Sequence, residues 1–174
     1  MGGRLTLRRA RSDDAAALAA LARDSFVAAF GHAYRPEDLA AFLAEYKTVE
    51  RYRQSLARPD IHIQLAEAAG ALVGFCQIHL PSEFAAESDA SRPVALQQLY
   101  CAPEATGQGI GGALMDWALA QARALACDAV QLSVWSENHA AQRFYARYGF
   151  SKIADIGFMV GSQCDKEFCL ELRL

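Results

Sequence analysis

No stretch of this sequence approaches the roughly 18 consecutive apolar residues that a membrane-crossing helix requires. No C-x-x-C pair occurs among Cys76, Cys101, Cys127, Cys164 and Cys169, and five cysteines leave one over in any disulfide framework. Nor do the scattered histidines and cysteines form a metal-ligand spacing, so no metal is expected. A basic tail or stripe is missing too. The 17 Lys and Arg stand against 20 Asp and Glu, a formal charge of -3, which argues against a nucleic-acid partner while leaving room for a locally basic acceptor site. The start, Met1-Gly2-Gly3-Arg4, lacks the apolar segment of a secretion signal. Met1-Gly2 with Thr6 is a thin basis for lipidation, and none is expected. A cytoplasmic protein is the expectation.

What is present is apolar material, 53% of 174 residues, enough for one well-filled core and a single domain over 1–174. Leu5 to Arg8 reads as an edge strand, and Ser12-Asp13-Asp14 as the cap of a helix whose apolar residues are Ala15, Leu18, Ala22, Phe26 and Phe30. Gly31-His32 ends it. Pro36 opens a second helix with Glu37 and Asp38 in its first turn, and Val49 to Leu56 makes a third. The period then changes. Ile61, Ile63 and Leu65 alternate as in a strand, and Leu72 to Leu80 returns as its hairpin partner across Ala69-Gly70-Ala71. Pro81 to Pro93 is a loop. Val94 to Cys101 is a strand, followed by a long helix starting around Gly107 to Gly109, and Ala129 to Trp135 completes a parallel strand–helix–strand unit. Asn138 to Tyr148 is helical and stops at Gly149. Strands at Lys152 to Val160 and Cys164 to Leu172 close a mixed α/β sheet, and a homodimer through these terminal strands is plausible on that layout.

The richest signal is Gly107-Gln108-Gly109-Ile110-Gly111-Gly112 between a strand and a helix. Glycines let the backbone turn sharply and approach a ligand, and the free amides of a first helical turn attract anions. Such a loop holds a pyrophosphate without a lysine. Read literally it also satisfies G-x-G-x-x-G, the mark of an NAD(P) oxidoreductase. A dinucleotide fold places that motif after its first strand with an acid ending the next, whereas here several strands come first and Asp128 precedes the following strand. No Gly-Lys-Ser/Thr follows, so a P-loop is excluded. Coenzyme A also carries a pyrophosphate.

With Leu99-Tyr100-Cys101-Ala102-Pro103-Glu104 before it, this loop resembles the acetyl-coenzyme-A motif of the GNAT superfamily of N-acetyltransferases, Arg/Gln-x-x-Gly-x-Gly/Ala. Gly109 and Gly111 match the glycine positions; Thr106 stands where the family has Arg or Gln. A downstream block, Asn138 with Ala141, Phe144-Tyr145 and Gly149-Phe150, is similar to the family's Asn-x-x-Ala-x-x-Phe-Tyr-x-x-x-Gly-Phe. Phe30-Gly31-His32 and the Gly161 to Asp165 segment further resemble the bacterial polyamine acetyltransferase branch. The resemblance implies a GNAT-like fold, a central mixed sheet with helices on both faces. It implies acetyl-coenzyme A as co-substrate, contacted by Leu99, Tyr100, Cys101, the stretch Thr106, Gly107, Gln108, Gly109, Ile110, Gly111 and Gly112, and by Asn138 and Tyr145.

Acyl transfer from a thioester needs an unprotonated amine, an oxyanion donor and a proton for the departing thiolate. On the resemblance, an amide near Leu99 to Cys101 faces the thioester oxygen, and Tyr145 serves as general acid or as the group that orients the thiol. Phe144, Tyr145 and Tyr148 also read as an aromatic cluster that packing alone explains, Tyr148 above all. Asn138 reads as a helix cap, a role compatible with cofactor contact. His139 reads as solvated. Many relatives place a glutamate on the strand before the loop, yet that strand begins Val94-Ala95-Leu96-Gln97-Gln98. The base is therefore sought elsewhere, among Glu37, His32, His79 and Glu67, or in a water chain. Cys101 has no histidine at informative spacing, which favours direct attack in a ternary complex over an acetyl-enzyme. The acceptor belongs to Gly31 to Leu56 and Pro81 to Pro93, where Glu37, Asp38, Glu45, Glu83, Glu87 and Asp89 would favour a polycation. A polyamine, another small amine or a peptide amine fits that expectation; a non-catalytic acetyl-coenzyme-A sensor is the alternative.

Overall fold

The structure is a computed structural model describing residues 3–174. Met1-Gly2, weighed above for lipidation, lies outside the described residues. The strands are β1 (Thr6–Arg9), β2 (Ile61–Ala68), β3 (Ala71–His79), β4 (Pro93–Cys101), β5 (Ala129–Trp135), β6 (Ser151–Val160) and β7 (Gln163–Arg173). They form one seven-stranded sheet in the order β1-β2-β3-β4-β5-β7-β6. The helices are α1 (Ala15–Phe30), α2 (Pro36–Tyr46), α3 (Val49–Ala57), α4 (Ile110–Ala124) and α5 (His139–Arg147). This is the expected mixed sheet, and no helix of the described residues is long and apolar enough to cross a membrane.

Two local expectations change. Helix α4 begins at Ile110, after Gly107 (φ 77°) and Gly109 (φ 78°), because these two adopt left-handed backbone that a helix cannot include. Ser12 to Asp14 forms a 3-10 turn rather than a simple cap. Asp14 turns its carboxylate back to the Arg11 amide (2.6 Å) and to the Arg8 guanidinium (2.8 Å). Asn138 does cap α5, accepting from the Ala141 amide at 3.2 Å, and Gly149 follows that helix at φ 95°.

Period-two alternation sorts β3 between two helical layers. Phe75 meets Tyr52 of α3 edge to face on one side, with ring centroids 5.9 Å apart. Gly74 faces α4 on the other, where a Cβ would stand 2.9 Å from Ile110 Cγ2 and equally close to the Tyr100 carbonyl. Glycine there lets the start of α4 settle directly on the sheet, which positions the glycine loop at the end of β4. A smaller apolar cluster of Phe26, Phe42, Leu43 and Val160 joins α1 and α2 to the β6–β7 hairpin. Asp38 of α2 secures that hairpin, accepting from the Ser162 amide (2.8 Å) and hydroxyl (2.9 Å).

The central strands part company. β4 and β5 pair in parallel only at Pro93–Ala129, Val94–Val130 and Ala95–Gln131. Just beyond, the β3–β4 register shifts so that Gln97 is an extra residue, a bulge that bends β4. β5 meanwhile keeps β7 as its partner as far as Trp135–Glu167. From Leu96 and Leu132 onward the two strands diverge, and a wedge opens in the middle of the sheet.

Candidate active site

The wedge holds a cavity of about 200 Å³. Leu99 and Tyr100 line it from β4, Ser133 and Trp135 from β5, and Asn138 and Tyr145 from α5. Tyr145 packs edge to face on both Phe144 and Phe150, which fixes its ring at the wall of the cavity. Burial pushes that phenol well above its ordinary range, and it stays protonated. Glu167 of β7 shares the cavity and is 9% exposed. Burial raises its carboxyl above the usual carboxylate range and Asp165 adds to the rise, while a hydrogen bond with Ser133 opposes it.

At the end of β4 the glycine loop presents bare backbone. Thr106 donates to the Pro103 carbonyl (3.1 Å) and Gln108 to the Glu104 carbonyl (3.4 Å), so both side chains fold back on the preceding turn. Nothing lies within 4 Å of a Cβ built on Gly107 or Gly109. The first bond of α4 runs from the Ala113 amide to the Gly109 carbonyl (3.1 Å), which leaves the amides of Ile110, Gly111 and Gly112 without an intrahelical acceptor. This open rim of donors fits a diphosphate, and the wedge beside it fits a narrow chain. Cys101 lies below the rim: its Sγ is 3.9 Å from a Cβ built on Gly111, and burial raises its thiol. The thiolate an acetyl-enzyme needs is thereby disfavoured. Tyr148 is a packing residue, donating to the Gly112 carbonyl at 3.3 Å.

A larger cavity of about 570 Å³ adjoins the wedge and shares Gln97, Gln98, Tyr100 and Phe158 with it. Lys47, just past α2, lines this outer cavity at 5% exposure. Its ammonium donates to Gln98 Oε1 (3.2 Å), an oxygen that also accepts from the Tyr52 hydroxyl (2.7 Å). The same ammonium lies 4.9 Å from the Tyr100 centroid and 5.8 Å from that of Phe42. Burial alone lowers its pKa to about 8.

The acidic lining expected for a polycation is not assembled. Of the acids named for it, only Glu83 lines the outer cavity, where it accepts from Gln97 (3.1 Å). Asp38 is consumed by the hairpin clamp, Glu37 is an exposed partner of Arg35, and Asp89 pairs with Arg173. The expected bases fare similarly. Glu67 is held by Arg8 (2.8 Å), His32 is exposed, and His79 binds Asp60 (3.0 Å) behind Gln97. His139 is exposed, as expected.

Two residues of the cavities had escaped sequence reasoning, Glu167 and Lys47. Alternation along β7 puts Asp165, Glu167, Cys169 and Glu171 on one buried face, a usable signal. Lys47 gives none, since a lysine closing a helix is ordinary. Among the described residues no group of three or more His, Cys, Asp or Glu is arranged to hold a metal.

Comparison with known proteins agrees with this geometry. The profile of the acetyltransferase (GNAT) family matches residues 16–150. An uncharacterised N-acetyltransferase of Mycobacterium tuberculosis is 31% identical over 161 residues, covering 92% of this chain and 98% of that protein. An aminoalkylphosphonate N-acetyltransferase of Salmonella typhimurium is 30% identical over 101 residues, covering 58% of this chain and 64% of its own. Among solved structures, the PaiA N-acetyltransferase of Thermoplasma acidophilum in complex with coenzyme A superposes with a TM-score of 0.81 at 22% identity, covering 98% of this chain and 99% of the other. With its wedge between β4 and β5 and its glycine loop at the mouth, the chain belongs to the acetyltransferase (GNAT) family.

Proposed function

We propose that this protein transfers the acetyl group of acetyl-coenzyme A to a small primary amine by direct attack in a ternary complex. The observation that carries this reading is the parting of β4 and β5 after Ala95–Gln131, with unpaired loop amides at its mouth. The amides of Ile110, Gly111 and Gly112 bind the co-substrate's diphosphate, and the wedge receives its narrow arm. From Leu96 to Cys101, β4 has β3 on one side and no strand on the other. An amide near Leu99 to Cys101 is thus available to the thioester oxygen, where a fixed donor strengthens as negative charge grows. Glu167 takes the proton of the attacking amine, its raised pKa making it a stronger base than an exposed carboxylate. Tyr145, kept neutral by its burial, donates a hydrogen bond to the departing sulfur and stabilises the thiolate as it leaves.

We do not adopt the polyamine acceptor to which the resemblance of Phe30-Gly31-His32 and Gly161 to Asp165 points, because of the acids expected to favour a polycation only Glu83 lines the outer cavity. Those segments have a structural use. A Cβ at Gly161 (φ 58°) would press to 2.6 Å from the Asp38 Cα, and Tyr34 donates to Asp165. The Salmonella relative, by its name, acts on amines that carry an acid, a class better suited to a lysine-lined pocket. Five free cysteines support a cytoplasmic setting. The test is release of the coenzyme-A thiol from acetyl-coenzyme A over a panel of primary amines. Amine-dependent release is expected. A folded chain that binds acetyl-coenzyme A and releases no thiol with any amine overturns the reading.

A further inference from the structure

Lys47 is a buried cation without a counter-ion. Among the described residues it makes no ion pair, and neither does Arg51 beside it. An ammonium has three donors, and Gln98 Oε1, shared with Tyr52, meets one of them. The Tyr100 and Phe42 rings face it, but neither they nor the Gln98 amide carries the negative charge that would balance an ammonium taken out of water. Arg51 lies on the outer wall with its guanidinium 5.2 Å from the Tyr46 centroid. Of the other charges of this cavity, Arg58 holds Asp60 (3.0 Å), and Glu83 accepts from the neutral Gln97 amide (3.1 Å) and keeps its charge. With Lys47 and Arg51 against Glu83, the balance of unpaired charge in the outer cavity is positive.

We propose that the acceptor amine carries a carboxylate or phosphonate on a short tether, and that this oxyanion seats on Lys47 with Arg51 at its outer edge. The inference rests on the acetyl transfer assigned above and names its substrate class. The tether is short because Tyr100 and Gln98, which Lys47 touches, also line the wedge that holds Glu167 and Tyr145. The ammonium end of such a zwitterion turns toward Glu167 and its acidic end toward Lys47. A polyamine would instead bring a second cation against an ammonium that has no anion to share. Packing alone does not call for a charge here. A methionine of similar length fills an aromatic slot without the desolvation that burying an ammonium entails.

The test compares kcat/KM for β-alanine and 2-aminoethylphosphonate with that for ethanolamine and spermidine at saturating acetyl-coenzyme A. Preference for either acid by about 10-fold or more is expected, the worth of one hydrogen bond to a charged group. The two acids separate the carboxylate from the phosphonate source. In Lys47→Met that ratio collapses toward one, chiefly through KM. Arg51→Gln, an exposed change that leaves folding intact, shrinks it by a smaller factor. Equal or better use of ethanolamine or spermidine by the unaltered chain overturns the proposal. Calorimetric titration of each amine into the chain saturated with coenzyme A reads binding apart from turnover. Selective binding of the acids without acetylation would sink the acetyltransferase reading and leave only the oxyanion seat on Lys47; binding without discrimination would sink that seat.

Discussion

Trp135 and Glu167 face one another in register across β5 and β7. Each has a side chain on the wall of the wedge, so the last paired step of that ladder delivers a buried carboxylate to the point where β5 and β4 are furthest from pairing. On the proposed reading this acid, from β7 on the far side of β5, takes the place of the glutamate that Val94-Ala95-Leu96-Gln97-Gln98 of β4 does not offer.

Glu167→Gln is expected to lower kcat/KM on the order of 10²-fold, the common worth of a positioned base, while acetyl-coenzyme A binds as before. The base works deprotonated, so the rate rises with pH through the Glu167 pKa. Burial and Asp165 lift that pKa, which places the ascending limb above the range of an exposed carboxylate. A pH–rate profile that keeps the same limb in the glutamine variant would assign the proton to another group.

Tyr145→Phe keeps the ring contacts with Phe144 and Phe150 and removes only the hydroxyl. Single-turnover acetylation should slow on the order of 10²-fold, with coenzyme-A affinity largely preserved. Equal single-turnover rates would leave this tyrosine a packing residue like Tyr148.

How much of this is legible in the sequence depends on the range of the interactions involved. The helical spacing of Ala15, Leu18, Ala22 and Phe26 and the alternation of Ile61, Ile63 and Leu65 express local backbone geometry, so they read directly. The loop from Gly107 to Gly112 reads for the same reason, since its anion site is built from consecutive amides. The wedge is not local. It depends on a bulge at Gln97 that exists only relative to the register of β3. Lys47 looks like any lysine at a helix end until α2 folds it over Tyr100, and Asp38 looks like first-turn charge until the β6–β7 turn arrives. Asp38 therefore seemed available to a substrate because the Ser162 amide and hydroxyl that it accepts from lie more than a hundred residues away in sequence.

Gly109→Val tests the loop. The residue sits at φ 78°, where a β-branched side chain is strained by about 1–3 kcal/mol, and its Cβ would point into the open space left for the diphosphate. Coenzyme-A affinity should fall at least about tenfold, together with a modest loss of stability. A folded variant with undiminished affinity in a titration would move the diphosphate away from this rim.

Lys47→Met links stability to the acceptor site. Burial lowers the Lys47 pKa to about 8 in the folded chain, from the 10.5 of a lysine in the unfolded chain. Between those values the unfolded chain binds the extra proton, so this lysine makes stability rise with pH across that window. Below pH 8 its full penalty is present, on the order of 3 kcal/mol. Removing the charge should therefore stabilise the ligand-free protein at pH 7 and flatten that part of the stability–pH curve. Denaturant unfolding at pH 7, 8, 9 and 10 checks both, with the difference between the two proteins cancelling the tyrosines and cysteines they share. A variant less stable than its parent at pH 7 would mean that the rings and Gln98 already compensate the ammonium, and that an arriving oxyanion has nothing left to relieve.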